Sequence, residues 1–121
     1  MATASDAVYH AMLDTYAGLF PAGSTLELRA GTRVVATIIL PAEPWGEAGS
    51  PNPRCLDLRG GWVGTASYAG TVTVDNYRLS NGEYEDTGSV SGPDGGGEMQ
   101  MDNPVLAKNQ IVTVSEFCKE F

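Results

Sequence analysis

Thr71-Val72-Thr73-Val74-Asp75-Asn76-Tyr77-Arg78-Leu79-Ser80-Asn81-Gly82-Glu83-Tyr84 is the stretch that decides the fold. Threonine and valine alternate through Thr71–Val74, which turns one row of side chains to a core and the other to water. A strand is predicted over Thr71–Leu79. Asn81-Gly82 then breaks it, and Asn-Gly is the strongest short hairpin signal because the favoured turn holds its central residues at positive φ. The return strand is predicted over Tyr84–Val90.

The pattern continues outward on both sides. Downstream, Gly92-Pro93-Asp94-Gly95-Gly96-Gly97 is a looser turn before a strand at Glu98–Met101, and Asn103-Pro104 is another turn. Ile111-Val112-Thr113-Val114 alternates cleanly in a last strand, Ile111–Phe117. Upstream, strands are predicted over Cys55–Leu58 and Gly61–Ala69. Further back, Leu26 and Leu28 alternate with Glu27 and Arg29, and Ala30-Gly31-Thr32 makes a tight turn into Val34–Leu40. That run is apolar on both faces, as expected of a central strand with a helix on one side. Many short strands with turn punctuation predict a mainly β chain, an antiparallel β-sandwich or small barrel, jelly-roll-like, with one N-terminal α-helix.

The helix is predicted over residues 5–20. Ser5 or Thr3 can cap it, Asp6 suits its positive end, and Tyr9, Met12, Leu13, Tyr16 and Leu19-Phe20 recur at helical spacing. Pro21 and Gly23 stop it. Residues 41–54 hold Pro41, Pro44, Pro51 and Pro53 with Gly46 and Gly49, and are predicted to be an irregular loop without a ladder. Trp45 lies inside it. Its ring either folds back over one end of the core or anchors a neighbouring subunit.

The chain has 121 residues, 15 acidic against 7 basic, and a net charge of -8. Its apolar share of 42% is that of an ordinary globular protein, and the length fits one domain over residues 1–121. Seven scattered cations exclude a nucleic-acid footprint, which needs a clustered basic face. The N-terminal residues have neither the basic nor the apolar region of a secretory signal, and no apolar run approaches a membrane span. With no export signal, Cys55 and Cys118 are expected to be free thiols. One histidine and two distant cysteines do not make a structural zinc site.

The sequence carries no enzyme motif. His10 has no nucleophile or carboxylate partner at a telling spacing and reads as a partly exposed helix residue. Cys118 reads as a small core hydrophobe. Glu83, Glu85 and Asp86 follow the Asn-Gly turn, and Asp94, Glu98 and Asp102 flank the glycine run. Such carboxylates can do acid/base work or hold calcium, but neither group has EF-hand spacing, and both read as solvated surface. The glycine run lacks the lysine and the following helix of a phosphate loop. No catalytic residue, cofactor or metal is expected.

Gly70–Leu79, Thr87-Gly88-Ser89-Val90-Ser91-Gly92, Glu98–Asn103 and Asn109-Gln110-Ile111-Val112-Thr113-Val114-Ser115-Glu116-Phe117 together resemble a family of small proteins common in tailed-phage and prophage structural clusters. The N-terminal half follows the same order of helix, Leu-x-Leu strand, turn, Ala-Thr-Ile strand and proline-containing loop. Two departures stand out: the Trp45 loop is richer in proline, and Asn109 stands where the family usually has glycine. The resemblance implies a virion structural protein on the capsid surface, made in the host cytoplasm, that decorates (cements) the head by binding major capsid proteins and itself, as a dimer or trimer. The alternative is a tail, baseplate or host-surface module, with Trp62, Tyr68, Tyr84 and Asp86 as a platform for a glycan or receptor. The interface residues expected for decoration are Trp45, Pro44, Trp62, Tyr9 and Tyr16.

Overall fold

The computed structural model describes residues 6–48, 54–68, 70–93 and 95–119. In chain order its elements are α1 (Asp6–Leu19), β1 (Thr25–Ala30), β2 (Arg33–Ile39), β3 (Trp45–Ala48), β4 (Cys55–Leu58) and β5 (Val63–Ala66). They continue with β6 (Val72–Thr73), β7 (Asn76–Ser80), β8 (Glu85–Ser91), β9 (Met99–Met101), β10 (Val105–Leu106) and β11 (Ile111–Cys118). The described residues are thus mainly β with one N-terminal helix.

The sheet closes on itself. β11, β5, β2, β1, β7, β8 and β9 follow one another, and β9 pairs back onto β11 to complete a seven-stranded, barrel-like ring. All neighbours are antiparallel except β8 and β9. This arrangement does not divide into the two facing sheets of a jelly roll. Closure removes exposed sheet edges from the ring. β11 makes it possible by its length: Ile111–Thr113 pair with β5, while Phe117 and Cys118 pair with β4 on the same side. A bulge between Val114 and Glu116 re-aims β11 along β9.

The interior is filled from the alternation read in the sequence. Leu26 and Leu28, Tyr77 and Leu79, Met99 and Met101, and Val112, Val114 and Phe117 are buried. β2 departs from the expectation. Among the described residues no helix lies on its outer face: α1 packs against β3 and β4 instead. Its two-sided apolar pattern has another source, a register shift against β1 that brings both Val35 and Ala36 inward, while Thr37 and Ile39 face out.

α1 buries Tyr9, Leu13, Tyr16 and Phe20, one face at spacings of four, three and four. Each such side chain contributes on the order of 2 kcal/mol by burial. Met12 is only half-buried and Leu19 is exposed, so the buried stripe is narrower than predicted. The cap expected at Ser5 or Thr3 lies outside the described residues.

Residues 41–54 are not wholly irregular. Trp45–Ala48 form β3 on β4, with Trp45 opposite Leu58 and Ala48 opposite Leu56. Pro44 precedes those four residues and none of them is proline, so their N–H groups can pair. The Asn81-Gly82 hairpin is present between β7 and β8, but Ser80 pairs with Glu85, which leaves four residues in the loop. Only Gly82 takes positive φ there, at 93°. Asn81 acts through its side chain, whose Oδ1 accepts the N–H groups of Glu83 and Tyr84 at 2.7 Å each.

Candidate functional site

The five expected interface residues turn inward. Trp62 is 2% exposed, and Tyr9 and Tyr16 are each 6% exposed. Pro44 is buried, and its carbonyl accepts the Trp62 indole N–H at 3.0 Å. Trp45 is half-buried, donates its indole N–H to the Phe20 carbonyl at 2.7 Å, and meets Trp62 edge-on at 4.8 Å between ring centroids. These aromatic rings join α1 to β3 and the start of β5, which is work inside the chain. Of the Trp62-Val63 pair, only Val63 faces outward. The glycan platform does not assemble either, since Trp62 is buried and Asp86 is engaged elsewhere.

What the fold does assemble is a cluster around Lys119, a residue with no local sequence signal. Lys119 follows β11 and is 8% exposed. Its Nζ lies 2.9 Å from Asp86 Oδ2 on β8 and 3.4 Å from Glu98 Oε2, just before β9. It also donates to the Tyr77 hydroxyl at 3.2 Å. Asp86 Oδ2 in turn accepts the hydroxyls of Tyr16 at 2.7 Å and Tyr77 at 2.9 Å. The two acidic runs noted in the sequence thus send one member each to a common lysine. Gly88 opens the space for it: a Cβ there would lie 2.6 Å from Tyr77 Cε1.

The electrostatics follow from burial. The Tyr16 phenol is pushed far above its ordinary range, first by desolvation, then by Tyr77 and by its hydrogen bond to Asp86. Tyr77 is raised for the same leading reason, followed by the Asp86 charge. Both rings therefore stay protonated and act as donors. Around them Phe117 packs against Tyr16 at 5.6 Å and Tyr77 at 5.4 Å. The cluster is a polar knot tying α1, β7, β8, β9 and the end of β11, with Lys119, Tyr16 and Tyr77 buried and the two carboxylates half-buried.

Lys119 is fixed from its backbone as well. Its N–H donates to the Arg54 carbonyl at 3.0 Å, and its own carbonyl accepts the Tyr9 hydroxyl at 2.5 Å. The preceding residue, Cys118, is disulfide-bonded to Cys55, directly opposite it across β4 and β11. This corrects the expectation of two free thiols. A sequence separation of 63 says nothing about contact when both residues end neighbouring strands. Glu116 Oε1 lies 3.2 Å from Cys118 Sγ, but with the sulfurs joined, no thiolate is offered to a metal.

The outer wall has two characters. On β1, β7 and β8, Glu27 bridges Arg29 at 2.6 Å and Arg78 at 3.6 Å, and Arg78 also pairs with Glu85. Where β2, β5 and β11 lie side by side, Thr37, Ile39, Val63, Thr65, Ile111 and Thr113 face outward and form an uncharged patch, with exposed Arg33 at the start of β2 and half-buried Glu116 toward the end of β11 outside it. Ile111 lies opposite Thr65, Thr65 opposite Thr37, and Val63 opposite Thr113, so they share one continuous face. Ile111 is 66% exposed and Ile39 59%. A separate open groove of about 480 Å³ runs along the outer side of α1, lined by Val8, Ala11, Met12, Thr15, Tyr16 and Leu19.

The fold and site define a small, filled, barrel-like β protein with a helix packed on it and a polar knot of buried Lys119, Tyr16 and Tyr77 with half-buried Asp86 and Glu98. No described helix is long and apolar enough to cross a membrane. Comparison with protein-family models, curated proteins and solved structures gives no match.

Proposed function

We propose that this chain is a structural protein of a tailed-phage virion, a decoration protein that strengthens the head by binding major capsid proteins. The observation that carries the reading is the uncharged patch that Ile39, Val63 and Ile111 form with Thr37, Thr65 and Thr113 on β2, β5 and β11. In a chain of net charge -8, three large apolar side chains and three threonines stand together on a rigid wall. Grouped exposed apolar side chains mark a protein contact. The strand pattern resembling virion structural proteins supports the same assignment. A rigid module also fits the task, since many modest contacts repeated around a shell add up by multivalency.

Copy number in purified particles tests the location. A copy number approaching that of the major capsid protein is expected, with density on the outer shell in a map of the particle. A few copies confined to the tail would overturn the head assignment and favour a tail, baseplate or host-surface module.

A further inference from the structure

We propose that Lys119 and Asp86 condense into an intramolecular amide, with Glu98 as the catalytic carboxylate, so that the end of β11 is joined covalently to β8. The reacting groups are already in contact: Lys119 Nζ lies 2.9 Å from Asp86 Oδ2. Neither is free to leave. The backbone of Lys119 is held by Arg54, Tyr9 and the adjoining disulfide, and Asp86 is held in register opposite Leu79. Held groups of this kind reach effective molarities of about 10⁵–10⁸ M, which drives a condensation that water would otherwise oppose.

The surroundings match the charge changes of the step. Glu98 lies 3.4 Å from Lys119 Nζ and takes a proton from the ammonium. It passes that proton to the Asp86 carboxyl. The free amine attacks Cγ of Asp86, forming the C–N bond, and Oδ2 takes up the negative charge. Tyr16 and Tyr77 donate to that oxygen at 2.7 and 2.9 Å, as an oxyanion requires. Glu98 removes a second proton from nitrogen and delivers it to the departing hydroxyl. The C–O bond breaks, water leaves, and Glu98 is again a carboxylate. Ammonium and carboxylate have become amide and water, with no oxidant or cofactor.

Mass spectrometry of the full chain after disulfide reduction reads the outcome directly. The expected mass is lower than that of the sequence by one water. Trypsin should leave Leu79–Lys108 joined to Asn109–Phe121, with no cleavage after Lys119. Asp94-Gly95 can also lose water by closing a succinimide, so the joined peptide, stable to hydroxylamine, is the deciding species. Glu98→Gln should slow its formation by about 10²-fold or more, because the proton carrier is gone. Asp86→Asn should form the same link with loss of ammonia in place of water. Separate peptides from folded wild-type protein, or a water loss mapping to Asp94-Gly95, would overturn the proposal and leave the cluster as an ion pair.

Discussion

Asn109 shows what a single residue contributes to closure. It sits at φ 70° in the turn before β11, and its N–H donates to Ala66 at 2.8 Å. Left-handed backbone costs an L-residue about 1–2 kcal/mol, asparagine least among non-glycine residues. Asn109→Gly should therefore leave the thermal midpoint unchanged or raise it, whereas Asn109→Val should lower stability by about 1–2 kcal/mol. The buried phenols make a second residue-scale prediction. Tyr16 and Tyr77 hold their protons far above the ordinary tyrosine range in the folded chain, while unfolding exposes them to titrate near pH 10. The unfolded state then binds fewer protons, so stability is fully present below about pH 10 and falls above it, by up to about 2.7 kcal/mol per pH unit for two groups. Urea midpoints from pH 8 to 11 measure this. Tyr77→Phe should shallow the decline, and an unchanged slope would contradict the assignment.

At the scale of elements, the junction of α1, β3, β4 and β11 holds the fold's end together. Reducing the Cys55–Cys118 bond, or replacing both residues by serine, frees a loop spanning 63 residues and should cost about 4 kcal/mol by chain entropy. Urea denaturation with and without reductant measures it. Trp45→Ala at the same junction removes a ring that meets Trp62, Tyr16 and Phe117 and leaves the Phe20 carbonyl without its donor. It should lower stability by about 3 kcal/mol, as truncation of packed aromatics does, with any binding defect following from unfolding. Normal stability with weakened docking would favour the other role read for Trp45 in the sequence, an anchor for a neighbouring subunit. These elements also mark where the sequence was legible. Strands with strict alternation, such as Ile111–Val114, and turns with a chemical signature, such as Asn81-Gly82, could be placed because their cause is local. β3 and β10 could not. A four-residue and a two-residue strand exist through their partners, Leu56 with Leu58 and Val72 with Thr73, and carry no period of their own.

At the scale of the whole molecule, the same limit hid the site. Asp86 and Glu98 could be noticed as members of acidic runs, but Lys119 stands between a cysteine and a glutamate with nothing local to mark it. Only closure of β8, β9 and β11 into a ring brings the three together. Closure likewise decides which apolar residues are core. Ile38 and Ile39 are adjacent in sequence and equal in hydrophobicity, yet Ile38 is 1% exposed and Ile39 59%. This pair gives the docking face its sharpest test. Ile39→Asp places a carboxylate where water already is, so the unfolding midpoint should shift by no more than about 0.5 kcal/mol. On shells it should lower occupancy, because the charge must be stripped of water against an uncharged surface without a partner. Ile38→Asp buries the same carboxylate in the barrel, where several kcal/mol of desolvation should prevent folding. Thermal unfolding of each free protein, set beside binding to shells stripped of the native copy, separates the two effects. Full occupancy by a folded Ile39→Asp chain would remove β2, β5 and β11 from the interface and favour the groove along α1.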